Sequence, residues 1–226
     1  MTPDLYARPA DYAVPTSWDL GDDAEYVAEQ TWQLALRGEN QLDQYLDLFD
    51  DELDTAKVSS AEAAAWFTSV IEARRDQQAR WGLPLPQTSL ERAFAALAGI
   101  GVVARGDFTC CGTCGAAEIA DERDDTRTWR GYVFFHMQDT DGIFADRTTY
   151  LNYGIFLPAY FEQAEWESMT DAQRDESYAA RTLALMNDEV VPLLTQHGIG
   201  VEWNGSLDTR IKLTGVDFLA PMNAPA

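Results

Sequence analysis

The segment Phe108–Gly115, FTCCGTCG, contains all three cysteines of the 226-residue chain. Cys111 and Cys114 form a C-x-x-C pair, and Cys110 adds a third thiol to the same turn. Thiolates with this spacing can converge on one tetrahedral ion, which takes four ligands at about 2.0–2.3 Å. The segment therefore predicts either a metal site, most simply for zinc, or a site of thiol chemistry.

A metal held by three sulfurs needs one more donor, and the chain has two histidines. His136 lies in the strand-like segment YVFFHMQDT, which can pair near the cysteine turn. His197 ends a predicted helix, a position that favours the role of a C-terminal cation. The predicted zinc ligands are therefore Cys110, Cys111, Cys114 and His136.

Thiol chemistry is the alternative. A C-x-x-C pair before a short helix is typical of redox-active cysteines, because the helix N-terminus lowers the thiol pKa. Cys111 or Cys114 would then be the nucleophile, with His136 as its base. Glu118 can face the same side of the helix as Cys114 and is a candidate general base, although a solvated surface position explains it more simply. In a third interpretation, the cysteines are small buried side chains that pack a tight turn.

The first part of the chain reads as helical. After an extended arm with three prolines, boundary signals and apolar spacing predict helices over 22–38, 40–53 and 59–82. The segment GLPLPQT, residues 82–88, cannot continue a helix because it holds two prolines. We therefore predict a helical N-terminal region over 1–85 and a second domain over 86–226.

The second part mixes helices and strands. Its predicted helices are 89–99, 113–123 and 175–198, the last with Pro192 as a kink. Strands are predicted at 100–108, 130–138, 148–156, 199–203 and 209–218, with a turn at 139–142 (DTDG) and a hairpin at Asn204-Gly205. Hairpins dominate the connections, so we expect an α+β fold: a mainly antiparallel sheet with packed helices, preceded by the N-terminal helical extension.

Several motifs of this second part resemble a known family. FTCCGTCG, GYVFFHMQDT, LNYG and VEWNGSLDTRIKL occur in this order within about residues 89–218. They are similar to the motifs F-T-C-C-x-x-C-G, G-Y-V-F-F-H-x-Q-D-T and W-[DN]-G…R-I of a family of uncharacterised bacterial proteins, a domain of unknown function. Met137 and Asn204 depart from the glutamine and aspartate common there. The resemblance implies no activity, and implies that the family signature includes Cys110, Cys111, Cys114, Glu118, His136, Gln138, Asp139 and Thr140.

The chain is strongly acidic, with a formal net charge of −22. Residues 1–55 carry −12, residues 56–106 carry +2, and residues 107–226 carry −12. Such a charge repels nucleic acid phosphates and anionic membranes, so neither is an expected partner. It suits solubility, or an acidic face that docks a basic protein partner or imitates DNA.

The expected location is the cytoplasm. The first residues show neither the basic nor the apolar part of a secretory signal, and no run of 18 apolar residues is present. Three closely spaced cysteines fit a reducing compartment. The leading functional hypothesis is a zinc-stabilised binding or regulatory module. The alternatives are a thiol-dependent enzyme or redox sensor that uses the C-x-x-C pair with His136, and an acidic protein-interaction or DNA-mimic protein.

Overall fold

The computed structural model describes residues 5–82 and 84–222, and the chain divides into two compact units. One unit is formed by Met1–Pro86 together with Leu219–Ala226, and the other by Gln87–Phe218. We call them the helical unit and the sheet unit. Leu83, within the predicted linker, lies outside the described residues, as do residues 1–4 of the predicted arm.

Four α-helices are described in the helical unit: α1 (Asp23–Leu36), α2 (Leu42–Leu48), α3 (Asp50–Thr55) and α4 (Ser60–Trp81). The longest, α4, begins at a capping box. The Ser59 side chain accepts from the backbone N–H of Glu62, and the Glu62 side chain accepts from the backbone N–H of Ser59. The helix ends at Gly82, whose φ of 94° suits glycine.

Aromatic rings fill the core of the helical unit. Tyr45 stacks on Phe67 with ring centroids 4.3 Å apart. The fully buried Arg74 lies against the rings of Trp32 and Trp81, at 5.9 and 4.9 Å from their centroids. Burial lowers the pKa of Arg74 to about 10. These contacts give the tryptophans a packing role, as favourable cation–π neighbours of a buried charge.

The C-terminal segment is held on α4 by one side chain. The Gln78 side-chain amide donates to the carbonyl of Ala220 at 2.8 Å, and its oxygen accepts from the backbone N–H of Met222 at 2.9 Å. A single buried glutamine thus satisfies two backbone groups of an irregular segment, which is how such segments remain compatible with burial.

The sheet unit is built on five strands in the order β1-β2-β3-β5-β4. They are β1 (Val102–Arg105), β2 (Gly131–Phe134), β3 (Thr148–Ile155), β4 (Gly200–Glu202) and β5 (Ile211–Thr214). The β1–β2 pair is parallel and the other three pairs are antiparallel. The α+β class and the mainly antiparallel sheet are therefore confirmed.

Helices connect these strands within the sheet unit. They are α5 (Ser89–Gly99), α6 (Gly112–Glu118), α7 (Met137–Asp146), α8 (Gln163–Ser168), α9 (Asp171–Leu185) and α10 (Val191–Gln196). α5 precedes β1, α6 links β1 to β2, and α7 links β2 to β3. A π-helical turn, Met186–Val190, joins α9 to α10 without a break, and Pro192 lies directly after it at the start of α10.

The predicted turn at 139–142 is wrong, because these residues form the first half of α7. The predicted strand at 130–138 ends accordingly at Phe134. Two features explain the helix. Asp139 lies in its first turn, where an acid is favoured, and Gly142 is needed for packing, since a Cβ there would lie 2.8 Å from the carbonyl oxygen of Thr148. Turn-forming composition was thus outweighed by tertiary contacts.

Candidate metal centre

The cysteine turn leaves the sheet at the carboxyl end of β1, and His136 follows the carboxyl end of β2. Because β1 and β2 are parallel, both connections begin at the same edge of the sheet. Backbone hydrogen bonds prolong this pairing beyond the strands, the first of them from the N–H of Phe135 to the carbonyl of Arg105 at 3.2 Å. The N–H of Phe108 donates to the carbonyl of Phe135 at 3.0 Å, and that of Met137 donates to the carbonyl of Thr109 at 3.1 Å. The topology therefore places the cysteine turn beside the segment that carries His136.

The backbone of the turn is unusual. Asp107 and Thr109 both have positive φ, 54° and 60°, which non-glycine residues rarely adopt. Their side chains hold the conformation, because the Thr140 hydroxyl donates to Asp107 at 2.5 Å and the Thr109 hydroxyl donates to the carbonyl of Cys111 at 3.0 Å. Backbone strain of about 1–3 kcal/mol per residue is found where surrounding structure fixes a functional geometry.

Helix α6 begins directly after Cys111, its N-cap residue. Gly115 brings this helix against the sheet. A Cβ on Gly115 would lie 2.7 Å from Cζ of Phe134 and closer still to Cε2. Glycine at this position thus allows close approach of the helix to β2. Cys114, in the first turn of the helix, is thereby placed beside Cys111.

The three sulfurs form a compact group. The Sγ atoms of Cys110, Cys111 and Cys114 all lie within 4.8 Å of one another. Cys114 Sγ is 3.5 Å from that of Cys111 and 3.7 Å from that of Cys110. In a tetrahedral site with metal–sulfur bonds of about 2.3 Å, the sulfurs are about 3.8 Å apart. The cluster therefore has the spacing that one bound ion requires, and all three cysteines are free thiols.

The thiols of Cys111 and Cys114 differ in acidity. Hydrogen bonds from the backbone N–H and then the side chain of Cys114 hold the pKa of Cys111 below its ordinary value. The hydrogen bond to Cys111 raises the pKa of Cys114 to about 11, since Cys114 retains its proton beside the Cys111 thiolate. Without a metal, this arrangement therefore favours the thiolate form on Cys111 over that on Cys114.

His136 lies in a polar cluster with two other residues. Its Nε2 is 3.0 Å from Oδ2 of Asp139 and 3.3 Å from Nη1 of Arg210. Arg210 Nη1 also donates to Oδ2 of Asp139 at 2.7 Å. His136 and Asp139 are buried, at 8% and 9% exposure. The carboxylate thus orients the imidazole and also holds the guanidinium.

The predicted site residues are only partly brought together. The three cysteines form one group, and neither His136 nor Glu118 belongs to it, although the imidazole lies nearby: its Cδ2 is 3.7 Å from the Cβ that Gly112 would carry. Glu118 is exposed at the end of α6. Coordination by His136 therefore stays a prediction.

Two residues near the turn were not identified from the sequence as site residues. Arg210 follows His136 by 74 positions and contacts it directly. Asn152, on β3, faces Gly112 and pairs in register with Phe134. The only sequence signal for either was its presence in the family-like motifs LNYG and VEWNGSLDTRIKL. Nothing in local composition distinguishes them from ordinary surface residues of a strand.

The sheet unit also has a cleft of about 440 Å³, and none of the three cysteines lines it. Both arginines that line it have aromatic neighbours: Arg123 lies over the Phe156 ring and Arg127 over the Trp129 ring. Its size alone therefore indicates no ligand. In the described part of the chain, no helix has the length and apolar character needed to span a membrane.

Comparison with known proteins supplies a family. The family model described as a domain of unknown function, DUF6891, matches residues 21–219. The chain belongs to this family. The DUF6891 match covers most of the helical unit as well as the sheet unit, and so extends well beyond residues 89–218, where the motif resemblance was noted. No curated protein and no solved structure matches the chain.

Proposed function

We propose that this DUF6891 protein is a zinc-stabilised binding or regulatory module, with zinc held by Cys110, Cys111 and Cys114. The observation that carries the proposal is the mutual approach of three sulfurs from one turn, at spacings that fit tetrahedral zinc. Thiolates favour zinc among the common cellular divalent ions, whereas calcium and magnesium prefer oxygen ligands. The sequence-based candidate for the fourth ligand is His136.

A metal would stabilise an irregular part of the molecule. The turn holds two strained residues, Asp107 and Thr109, and leads into a helix of seven residues, too short to be stable by itself. Cross-linking its ends through one ion would fix this backbone. The proposed binding role follows from the position of the turn at the sheet edge where β1 and β2 both end.

Elemental analysis of protein purified without a histidine tag tests the proposal. We expect about one zinc per chain, lost when any of the three cysteines is changed to serine. His197→Ala is a matched control, because His197 follows α10 and belongs to no metal group among the described residues. Less than about a tenth of an equivalent, unchanged on adding zinc, would contradict the proposal.

One observation favours a second candidate, a thiol-dependent enzyme or redox sensor. The lowered pKa of Cys111 and the raised pKa of Cys114 give the C-x-x-C pair one nucleophile and one protonated partner. Thiol–disulfide exchange uses such a pair, the first cysteine attacking and the second resolving. The two candidates differ in what the thiols hold in the cell, a metal ion or a proton.

We also propose a cytoplasmic location and a protein partner for the acidic surface. Free thiols of this kind persist in a reducing compartment. Residues 1–55 carry a net charge of −12 and would attract a basic surface. Pull-down at low and high salt tests this: a charge-driven complex weakens as salt rises, and binding that ignores salt contradicts the proposal.

A further inference from the structure

The cysteine cluster offers a metal ion three ligands. Within residues 5–82 and 84–222, the three sulfurs are the whole group of cysteine, histidine and carboxylate ligand atoms that lie within 4.8 Å of one another. Structural zinc sites are closed by four protein ligands, whereas sites with three keep an exchangeable fourth position. The side chains around the turn therefore determine what occupies that position.

Two polar side chains border the turn at Gly112. A Cβ there would lie 3.4 Å from Oδ1 of Asn152 and 3.7 Å from Cδ2 of His136. Nδ2 of Asn152 and Nδ1 of His136 are both buried and have no hydrogen-bond partner in the described part of the chain. Nδ1 lies on the ring edge opposite Cδ2 and therefore faces away from Gly112, whereas Nδ2 of Asn152 lies 3.7 Å from the same Cβ position. Nearly all buried polar atoms in native proteins are satisfied, so the unpaired Asn152 amide beside the turn indicates a polar ligand.

Asp139 and Arg210 hold His136 in place beside the turn. Oδ2 of Asp139 lies 3.0 Å from Nε2 of the imidazole, and Nη1 of Arg210 lies 3.3 Å from the same nitrogen. Nε2 is therefore engaged by these two side chains, and the imidazole is fixed in its orientation.

Arg210 provides a positive charge at the same place. Nη1 is engaged by Asp139 and His136, and the guanidinium lies 4.9 Å from the centroid of Tyr150. Nε and Nη2 have no hydrogen-bond partner among the residues described, and the side chain is 39% exposed. The planar guanidinium fork matches the oxygens of a carboxylate or phosphate. In a chain of net charge −22, a local cation of this kind is what makes anion binding feasible.

We propose that a small oxyanion, a carboxylate or phosphate group, binds between the cysteine cluster and Arg210. One of its oxygens takes the fourth position on the metal, within reach of the Asn152 amide, and the others pair with the guanidinium. His136 is then a positioning residue beside the oxyanion and does not itself coordinate the metal. The inference rests on the proposed function, since it requires a metal on the three thiolates.

Cobalt(II) substitution provides the test, because the visible absorption of cobalt responds to a change of ligand. The cobalt-loaded protein is titrated with acetate and, separately, with inorganic phosphate. We expect a saturable spectral change with at least one of them, and the responsive anion gives the ligand class. Arg210→Gln should weaken anion binding about tenfold or more while cobalt still binds. Lys212→Gln is the matched control, because Lys212 pairs with Glu202 instead.

Gly112→Ala is a second, independent variant. Its methyl group would occupy the space beside Asn152 and His136 at ordinary contact distances, and Gly112 does not have positive φ. We expect one cobalt to bind as before and the anion response to be lost. This variant keeps the test available if Arg210→Gln does not fold.

The outcomes that contradict the inference differ from the outcome that contradicts the proposed function. Cobalt that binds without response to either anion overturns the inference, and a response that then appears in His136→Ala identifies the imidazole as the fourth ligand. Equal weakening by Lys212→Gln and Arg210→Gln also overturns it, since it would reveal general charge attraction alone. Failure to bind cobalt at all contradicts the proposed function instead.

Discussion

At the scale of single residues, the cysteine turn is the feature that the sequence predicts best. Three thiols within five positions can converge from a turn, whereas in an extended strand neighbouring side chains would face opposite sides. What spacing does not predict is their difference in acidity. That difference comes from the backbone N–H of Cys114, which is directed at Cys111 by the first turn of α6.

The acidity difference gives a prediction for the metal-free protein. After chelation, iodoacetamide should alkylate Cys111 at lower pH than Cys114, because the pKa of Cys111 is lowered and that of Cys114 is raised to about 11. Mass spectrometry of the Cys110→Ser variant separates the two positions. A Cys111 that titrates at its ordinary value, about 8.5, would remove the support for thiol chemistry.

Gly115 gives a second prediction at this scale. In Gly115→Ala the new methyl group would overlap the Phe134 ring, so the helix or the ring must move. We expect a loss of about 1–3 kcal/mol in the free energy of unfolding, measured by urea denaturation. Gly99→Ala is the control: a Cβ on Gly99 meets nothing within 4 Å, and its stability should be unchanged or slightly higher. Equal stabilities of the two variants would contradict the packing described here.

At the scale of elements, the sequence predicts the hairpin and the longer helices, but it misses α7, interpreted as a turn, and α8. Capping boxes mark the starts of α4 and α5, and Asn204-Gly205 lies between β4 and β5. The parallel pairing of β1 with β2 was not predicted, because hairpin-like spacing carries no information about a crossover through α6. Yet this pairing brings the cysteine turn and His136 to one edge of the sheet.

Arg210 escaped prediction for a related reason. It contacts His136 only because β3 pairs with both β2 and β5, and this places residues from three distant segments together. A lone arginine at the start of a strand reads as a solvated cation. Long-range strand order, which local patterns do not encode, makes it part of the site.

One ion pair links the start of β2 to the π-helical turn. Arg130 donates to both carboxylate oxygens of Glu189, at 2.9 and 2.5 Å, and this holds the pKa of Glu189 below its ordinary value. A lowered pKa in the folded state means that the pair stabilises the protein above about pH 4.5, and that its contribution is lost as the pH falls through the folded-state pKa.

Glu189→Gln should therefore lower the unfolding temperature at neutral pH, and the difference from the unmodified protein should shrink as the pH falls below about 4.5. The effect is modest because both side chains are about one-third exposed. Calorimetry against pH measures it, with the exposed Glu176→Gln on α9 as the control. A difference that grows on acidification would contradict this role of the pair.

At the scale of the whole molecule, the main feature is the net negative charge of the chain. A chain with −22 formal charges repels itself in the folded state, and salt screens that repulsion. Raising NaCl from about 10 mM to about 300 mM shortens the screening length from about 30 Å to below about 10 Å. The unfolding temperature should rise over this range, and a fall would show that ion pairs outweigh repulsion.

Composition predicts this charge, and the order of elements predicts the fold class, but neither predicts where the last residues of the chain pack. Leu219–Ala226 belongs to the helical unit, where Gln78 binds Ala220 and Met222. This segment is irregular and holds two prolines, so it has no periodicity from which its packing on the helical unit could be predicted. The family match over 21–219 agrees with a domain that includes both units.

X-ray absorption at the zinc edge tests the central claim most directly, because it counts the sulfurs around the metal. The account predicts one zinc per chain with about three sulfur neighbours at about 2.3 Å. Loss of the bound zinc in each single cysteine-to-serine variant would assign all three. Zinc surrounded only by nitrogen and oxygen, or no zinc in protein that retains its free thiols, would contradict the claim that these three cysteines form a metal centre.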